Sequence, residues 1–284
     1  MVSDSRKTTI GNRGAVLVTV LLVVSALLTL TVMQNERASA DYEAVSRVKG
    51  RLQGYVYCST ALKALVEILK EDDNLYDGPD ESWAQLPTIP TEEGFLSIKI
   101  VPLNSRIPLL KINDEAFSER VEDALLNINP DMDVEAIREH LRSVKPYSAT
   151  ELFLRREAFN LKASDMAFIN TEETDGRINI NFAPEEIIRA YLPELEPFIE
   201  EIVKYREEHP FKDISEIRKI PGIDDQLYLS VQGLITVKSP LLIVHVISEV
   251  ADEAVDVISV FQKGSKSARI LKYFEGARFF YEKP

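Results

Sequence analysis

The side chains able to do chemistry in this chain are few and scattered. The single cysteine, Cys58, lies in an apolar, helix-patterned stretch, where one thiol is a small core hydrophobe rather than a nucleophile. No disulfide can form within the chain. The three histidines, His140, His209 and His245, stand at no ligand spacing from one another or from the cysteine, so neither a zinc site nor a His-based triad is supported. No glycine-rich phosphate loop is present. Carboxylates cluster at Glu71-Asp72-Asp73 and at Glu172-Glu173-Asp175. Such oxygens suit calcium, but neither cluster has the spacing of an EF-hand loop, and solvated acidic loops account for both. This inventory yields no catalytic residue and no metal ligand. The chain is expected not to be an enzyme.

Charge narrows the field further. The 284 residues carry 28% charged and 45% hydrophobic side chains, ordinary for a folded protein, but the net charge is −13. An acidic surface repels phosphate backbones, so nonspecific nucleic-acid binding is disfavoured.

The elements that must position these residues begin with an apolar run. Residues 1–14 are polar, with Arg6, Lys7 and Arg13 against Asp4, and residues 15–33 carry no charge. As a helix that run spans roughly 28 Å, the thickness of a bilayer core. The basic flank comes first, which places the N-terminus in the cytoplasm. Three processing routes compete. Ala38-Ser39-Ala40 offers a small-residue site for release of a secreted protein, although the run exceeds a usual signal core and Gln34-Asn35-Glu36-Arg37 intrudes before the site. An uncleaved signal anchor is the second. The third is a transmembrane helix that continues unbroken into a soluble amphipathic one. Val45, Val48, Leu52, Tyr55, Ser59, Leu62, Val66 and Leu69 fall alternately three and four residues apart, a seam down one helix face. No proline interrupts residues 15–69. Gly50 and Gly54 read as weak points in the rod, a bend rather than an end. A helix over 15–71 would be roughly 85 Å long.

Behind the helix, residues 72–94 read as a loop, followed by short strands over 96–101 and 107–112. Residues 113–233 are mostly helical and carry a faint internal repeat. One copy runs from Ile112-Asn113 to Lys145-Pro146-Tyr147 and Ala149-Thr150-Glu151-Leu152. The other runs from Ile178-Asn179-Ile180-Asn181 to His209-Pro210-Phe211 and Ile214-Ser215-Glu216-Ile217. In the second, Asn181 is expected to cap a helix entered at Pro184, with Glu185 and Glu186 in its first turn. Pro210 stops the next helix and Phe211 packs back. Residues 234–284 read as strands over 235–238, 241–249, 255–262 and 268–274, with Phe279, Phe280 and Tyr281 closing a last one.

Two resemblances attach to these residues. Arg13-Gly14 before the apolar run resembles the prepilin peptidase site of type IV pilins and pseudopilins, with cleavage between Gly14 and Ala15. The fifth mature position, a glutamate in most of that family, is Thr19 here, and lack of that glutamate is a feature of the K-type minor pseudopilins of type II secretion (general secretion pathway protein K). Residues 177–223 resemble both the C-terminal half of K-type pseudopilins and the helix-hairpin-helix module of competence-type DNA-binding proteins. The turn chemistry separates these two. DNA-binding hairpins offer Gly-x-Gly amides to phosphate, whereas this chain has Pro193-Glu194-Leu195-Glu196 at one turn and Pro221-Gly222-Ile223-Asp224 at the other. Negative side chains there oppose the ligand, which leaves a membrane-tethered DNA receptor as the alternative reading.

The pseudopilin resemblance implies an α+β fold: a long N-terminal helix on a small antiparallel sheet, with a large helical insertion. Its parts would be a leader (1–14), a transmembrane helix (15–33), an amphipathic spine (34–71), a loop with short strands (72–112), the insertion with two hairpin-like repeats (113–233) and the sheet (234–284). It further implies a single-pass inner-membrane protein with a periplasmic head, matured and methylated by prepilin peptidase. The implied partners are the I- and J-type minor pseudopilins and the inner-membrane secretion platform, without nucleic acid. Calcium is possible by the same resemblance, with ligands unidentified.

Overall fold

The computed structural model describes residues 10–144 and 149–275, without the side chains of 10–15 and 150. The leader residues 1–9, the Lys145-Pro146-Tyr147 segment and the strand expected at Phe279-Phe280-Tyr281 lie outside the described residues.

Helix α1 (Ile10–Glu71) runs uninterrupted for 62 residues. Its apolar part mixes leucine and alanine, good helix formers, with valine and threonine, whose branched side chains cost a little freedom, and no proline or glycine breaks the backbone ladder over residues 15–33. The hydroxyls of Thr29 and Thr31 donate to the carbonyls of Ser25 and Leu27, at 2.9 and 2.8 Å. They therefore need no water, which suits a helix placed in lipid.

Strands β1 (Ile89–Thr91) and β2 (Gly94–Pro102) follow. The insertion then contains two units, each beginning and ending with a two-residue strand. The first runs from β3 (Ile107–Pro108) through α2 (Ser118–Ile128), α3 (Val134–Ser143) and α4 (Ala149–Leu154) to β4 (Ile169–Asn170). The second runs from β5 (Ile178–Asn179) through α5 (Glu185–Tyr191), α6 (Ile199–Glu208) and α7 (Asp225–Val231) to β6 (Ile235–Thr236). Both units close by parallel pairing, β3 on β4 and β5 on β6. They share one core in which Val121, Leu125, Ile137, Ile187 and Leu195 are buried. The chain ends its described part in β7 (Leu241–Val250), β8 (Glu253–Gly264) and β9 (Ser267–Glu275).

The main sheet is antiparallel, in the order β1-β2-β7-β8-β9. Two sequence expectations change here. The strand expected over 107–112 is only Ile107–Pro108, and a 3-10 helix takes Leu109–Asn113; Pro108 has no N–H to give a ladder. The strand expected over 235–238 pairs with β5 inside the insertion and is no part of the sheet. Instead the sheet recruits β2, paired along its whole length with β7 from Gly94 opposite Val250 to Pro102 opposite Leu242. The insertion therefore lies between two adjacent strands. One face of the sheet presents Leu242, Val244, Val246, Val255 and Val257 to α1, the alternation that a strand's period of two requires.

Asn181 is also placed differently. Pro184 occupies the cap position of α5 without a side-chain bond. The Asn181 side chain is buried and acts between segments: its amide donates to the carbonyls of Asp77 and Phe211, and its Oδ1 accepts from the Phe211 N–H at 2.8 Å. It thus holds the buried Phe211 ring in the core. Nearby, Asn179 donates to Ser239 Oγ, and Ser239 Oγ donates to Asn104 Oδ1, both at 2.8 Å. Asn104 donates in turn to the Lys238 carbonyl at 2.7 Å. Fully satisfied, such a buried polar chain ties the insertion to the sheet.

Candidate functional site: an apolar face on the first helix

From residue 50 onward α1 has two unlike faces. The inner one carries Gly50, Gly54, Cys58, Leu62, Leu65 and Leu69, all buried, at spacings that stack one above another on a helix. Gly50 and Gly54 are not bends. A Cβ on Gly50 would lie 2.9 Å from the Val250 carbonyl oxygen, and one on Gly54 would lie 2.7 Å from Val255 Cγ2. The glycines let the β7–β8 hairpin approach the helix backbone. Cys58 continues the small-residue line, and burial pushes its thiol up to about 11. At neutral pH it stays protonated and is no nucleophile.

The seam anticipated from spacing is only half right. Leu62 and Leu69 are buried, and Tyr55 and Val66 are half-buried, with the Tyr55 hydroxyl donating to Glu275 at 3.0 Å. Val45, Val48 and Leu52, however, face outward with Val56, between 61% and 68% exposed. The inward positions at that level are filled by glycine, which a search for large apolar residues passes over. The outward residues form an apolar trough with Lys49, Gln53 and Tyr57. Beyond Tyr57 it meets a groove of about 730 Å³ between α1 and the β1–β2 ribbon, lined by Ala64, Leu65, Ile68, Leu86, Ile89 and Leu96 among others. Covering a valine or leucine of such a face is worth about 1.5–3 kcal/mol. A contiguous exposed stripe of this kind marks a surface meant for another apolar surface.

Toward its N-terminus the same helix is apolar on all sides. Its best 18-residue window has a mean hydropathy of 2.7 and none of it is buried in the molecule. Such a helix fits a single-pass membrane anchor. The Gly14–Ala15 peptide lies within the backbone of α1, and Thr19 sits on the exposed surface of the apolar stretch.

The three histidines stay apart. His140 is in α3, His209 follows α6, and His245 in β7 pairs with Asp256 of β8. At the first hairpin turn, a 3-10 segment over Pro193–Phe198, Glu194 accepts two bonds from the Arg120 guanidinium, at 2.7 and 2.8 Å. That pairing holds the Glu194 carboxyl below the usual carboxylate range. At the second turn Gly222 takes a positive φ of 94°, and Asp224 caps α7 by accepting from the Leu227 N–H at 2.8 Å. Both acidic residues therefore serve the fold: the Asp224 cap is local, while the Arg120 partner of Glu194 lies 74 positions away and is legible only in three dimensions.

No protein-family model and no curated protein matches the sequence. Among solved structures, the chain is similar to one from the crystal structure of the GspK-GspI-GspJ complex of the enterotoxigenic Escherichia coli type 2 secretion system. The likeness has a TM-score of 0.52 at 14% identity and covers 85% of this chain and 99% of the other. At that identity it establishes the fold.

Proposed function

We propose that this protein is a minor pseudopilin of the K type in a type II secretion system. It is a non-enzymatic subunit, held in the inner membrane by the apolar part of α1, with its N-terminus cytoplasmic and its head periplasmic. Prepilin peptidase cleaves between Gly14 and Ala15 and methylates the new N-terminus. The mature subunit joins the I- and J-type minor pseudopilins on the secretion platform to start the pseudopilus and cap its tip.

One observation carries this reading. The shared fold extends over nearly all of the related chain, while α1 keeps an uncovered apolar face along its soluble half among the described residues. A helix–sheet head that buries only one side of its spine is suited to lateral packing of other spines. Thr19 supports the tip position. A subunit with none above it has no neighbouring N-terminal amine to neutralise in lipid, where an unpaired charge is costly.

N-terminal sequencing of protein from native membranes is the first test. A mature start at Ala15 is expected; a start at Asp41 would mean a secreted protein, and an intact Met1 a plain anchor. Co-expression of the full chain with I- and J-type partners in detergent should yield a complex that co-purifies. Absence of any such complex would defeat the tip assignment.

A further inference from the structure

Asp72, Asp77 and Glu81 bring carboxylate oxygens within 4.8 Å of one another, with Asp77 and Glu81 buried. Three convergent carboxylates are the donor set of a hard divalent cation. Calcium, which the pseudopilin resemblance allows, would find its oxygens here. The site is already spoken for by the chain itself. The ammonium of Lys263, from the end of β8, contacts Asp72 Oδ2 and Asp77 Oδ1 directly, and all three side chains are less than a tenth exposed. The same ammonium lies 4.9 Å over the ring of Trp83, a favourable place for a cation.

The remaining oxygens are also committed. Asp72 Oδ2 accepts from Trp83 Nε1 at 3.1 Å, and Oδ1 accepts from the Asn74 N–H at 3.3 Å. Asp77 Oδ2 accepts from the Ser239 N–H. Glu81 accepts from the Asn74 amide and from the Gly78 N–H, the latter at 3.2 Å. Each of the six carboxylate oxygens thus has a donor from the chain. Calcium needs six to eight oxygens at about 2.3–2.6 Å and would have to expel the ammonium. Burial works against the Lys263 charge, and the Asp77 and Asp72 carboxylates outweigh it, keeping the ammonium above its usual range.

We infer that Lys263 is the resident cation of this acidic pocket, so that the head is clasped there by an internal ammonium in place of a divalent metal. The pocket joins the loop after α1, the end of β8 and, through Asp77, the insertion and the 238–239 junction. A tethered ammonium keeps this joint closed whatever the free calcium concentration. The inference rests on the pocket alone and stands whether or not the protein caps a filament.

The test uses the full chain in detergent, with thermal unfolding followed by Trp83 fluorescence in EDTA and in millimolar calcium. The wild-type midpoint should be the same in both. Terbium, a luminescent stand-in for calcium, should give no signal on excitation of the indole. Lys263→Met removes the cation and leaves the carboxylates facing each other. Its midpoint should fall by about 5–10 °C in EDTA, calcium should restore part of the loss, and terbium should now luminesce. The cleft outside, lined by Glu71, Asp73 and Asp80, gives the ion a way in. Should Lys263→Met fail to fold, the wild-type measurements still decide. A wild-type midpoint raised by calcium, with the gain abolished by Glu81→Gln, would overturn the inference, as would a Lys263→Met protein as stable as wild type and indifferent to calcium.

Discussion

At the scale of single residues, the decisive contacts are made by small and charged side chains whose partners lie far along the chain. Gly54 meets Val255, so Gly54→Val must push the helix off the hairpin. The gain in helix propensity, up to about 1 kcal/mol, is smaller than an overpacking cost of about 1–3 kcal/mol with backbone contacts at stake. Thermal denaturation should therefore show a lowered midpoint for Gly54→Val, while valine at exposed Lys63 changes it little. Arg120 and Glu194 provide a pH-dependent contribution of definite sign. The folded Glu194 pKa lies below its ordinary value of 4.5. The stability it supplies is present above that value and is lost as pH falls through the folded pKa. Both side chains are about a quarter to a third exposed, so the loss is only about 1 kcal/mol. Denaturant titrations should find Glu194→Gln less stable than wild type at pH 7, the gap narrowing in strong acid.

Element by element, α1 divides its work between faces and along its length. The inner face is fixed by the sheet; among the described residues nothing covers the outer face at Val45, Val48, Leu52 and Val56. Replacing Leu52, 62% exposed, by glutamate should leave the unfolding midpoint within about 0.5 kcal/mol of wild type, as surface changes do. The same substitution should abolish or sharply reduce recovery of partner pseudopilins in co-purification, since it places a charge inside a desolvated apolar contact. A partner yield equal to wild type would move the contact surface elsewhere. The β7–β8 connection shows a second economy. Ala251 and Asp252 take φ values of 50° and 67°, the left-handed geometry that a two-residue hairpin demands. Alanine bears a cost there of about 1–2 kcal/mol, so Ala251→Asn should raise the melting temperature by a few degrees.

Across the whole molecule, insertion and sheet are held by buried polar groups as much as by apolar packing. Asn181 bridges Asp77 of the loop and Phe211 of the second repeat. Its truncation to alanine strands the buried N–H and carbonyl of Phe211, each worth about 1–3 kcal/mol when left unpaired, and leaves the Asp77 carbonyl only the Asn179 amide at 3.5 Å. Asn181→Ala should lower stability by at least about 2 kcal/mol. Hydrogen exchange should show the deepest losses at Phe211 and around the loop near Asp77, on both sides of the joint. Losses confined to the 178–236 unit would mean that the bridge does not couple the two parts. A rigid joint matters for the proposed role, because a head docked through α1 can bring the insertion to a fixed place only if both move together.

What the sequence determined by itself was local and periodic. The apolar run, the absence of proline to Leu69, the strands over 241–274 and the stop at Pro210 each rest on neighbours a few residues away. So do the turn carboxylates that argue against phosphate. Tertiary structure decided everything that depends on which distant groups meet. It turned Gly50 and Gly54 from weak points into the buried face and left Val45, Val48 and Leu52 outside, because helical spacing fixes which residues share a face but not which face the sheet covers. It took Asn181 from a helix cap to a bridge. It placed Lys263 among carboxylates that lie almost two hundred positions earlier in the chain. Ion pairs and close backbone approaches leave no periodic trace, and only the folded chain reveals them.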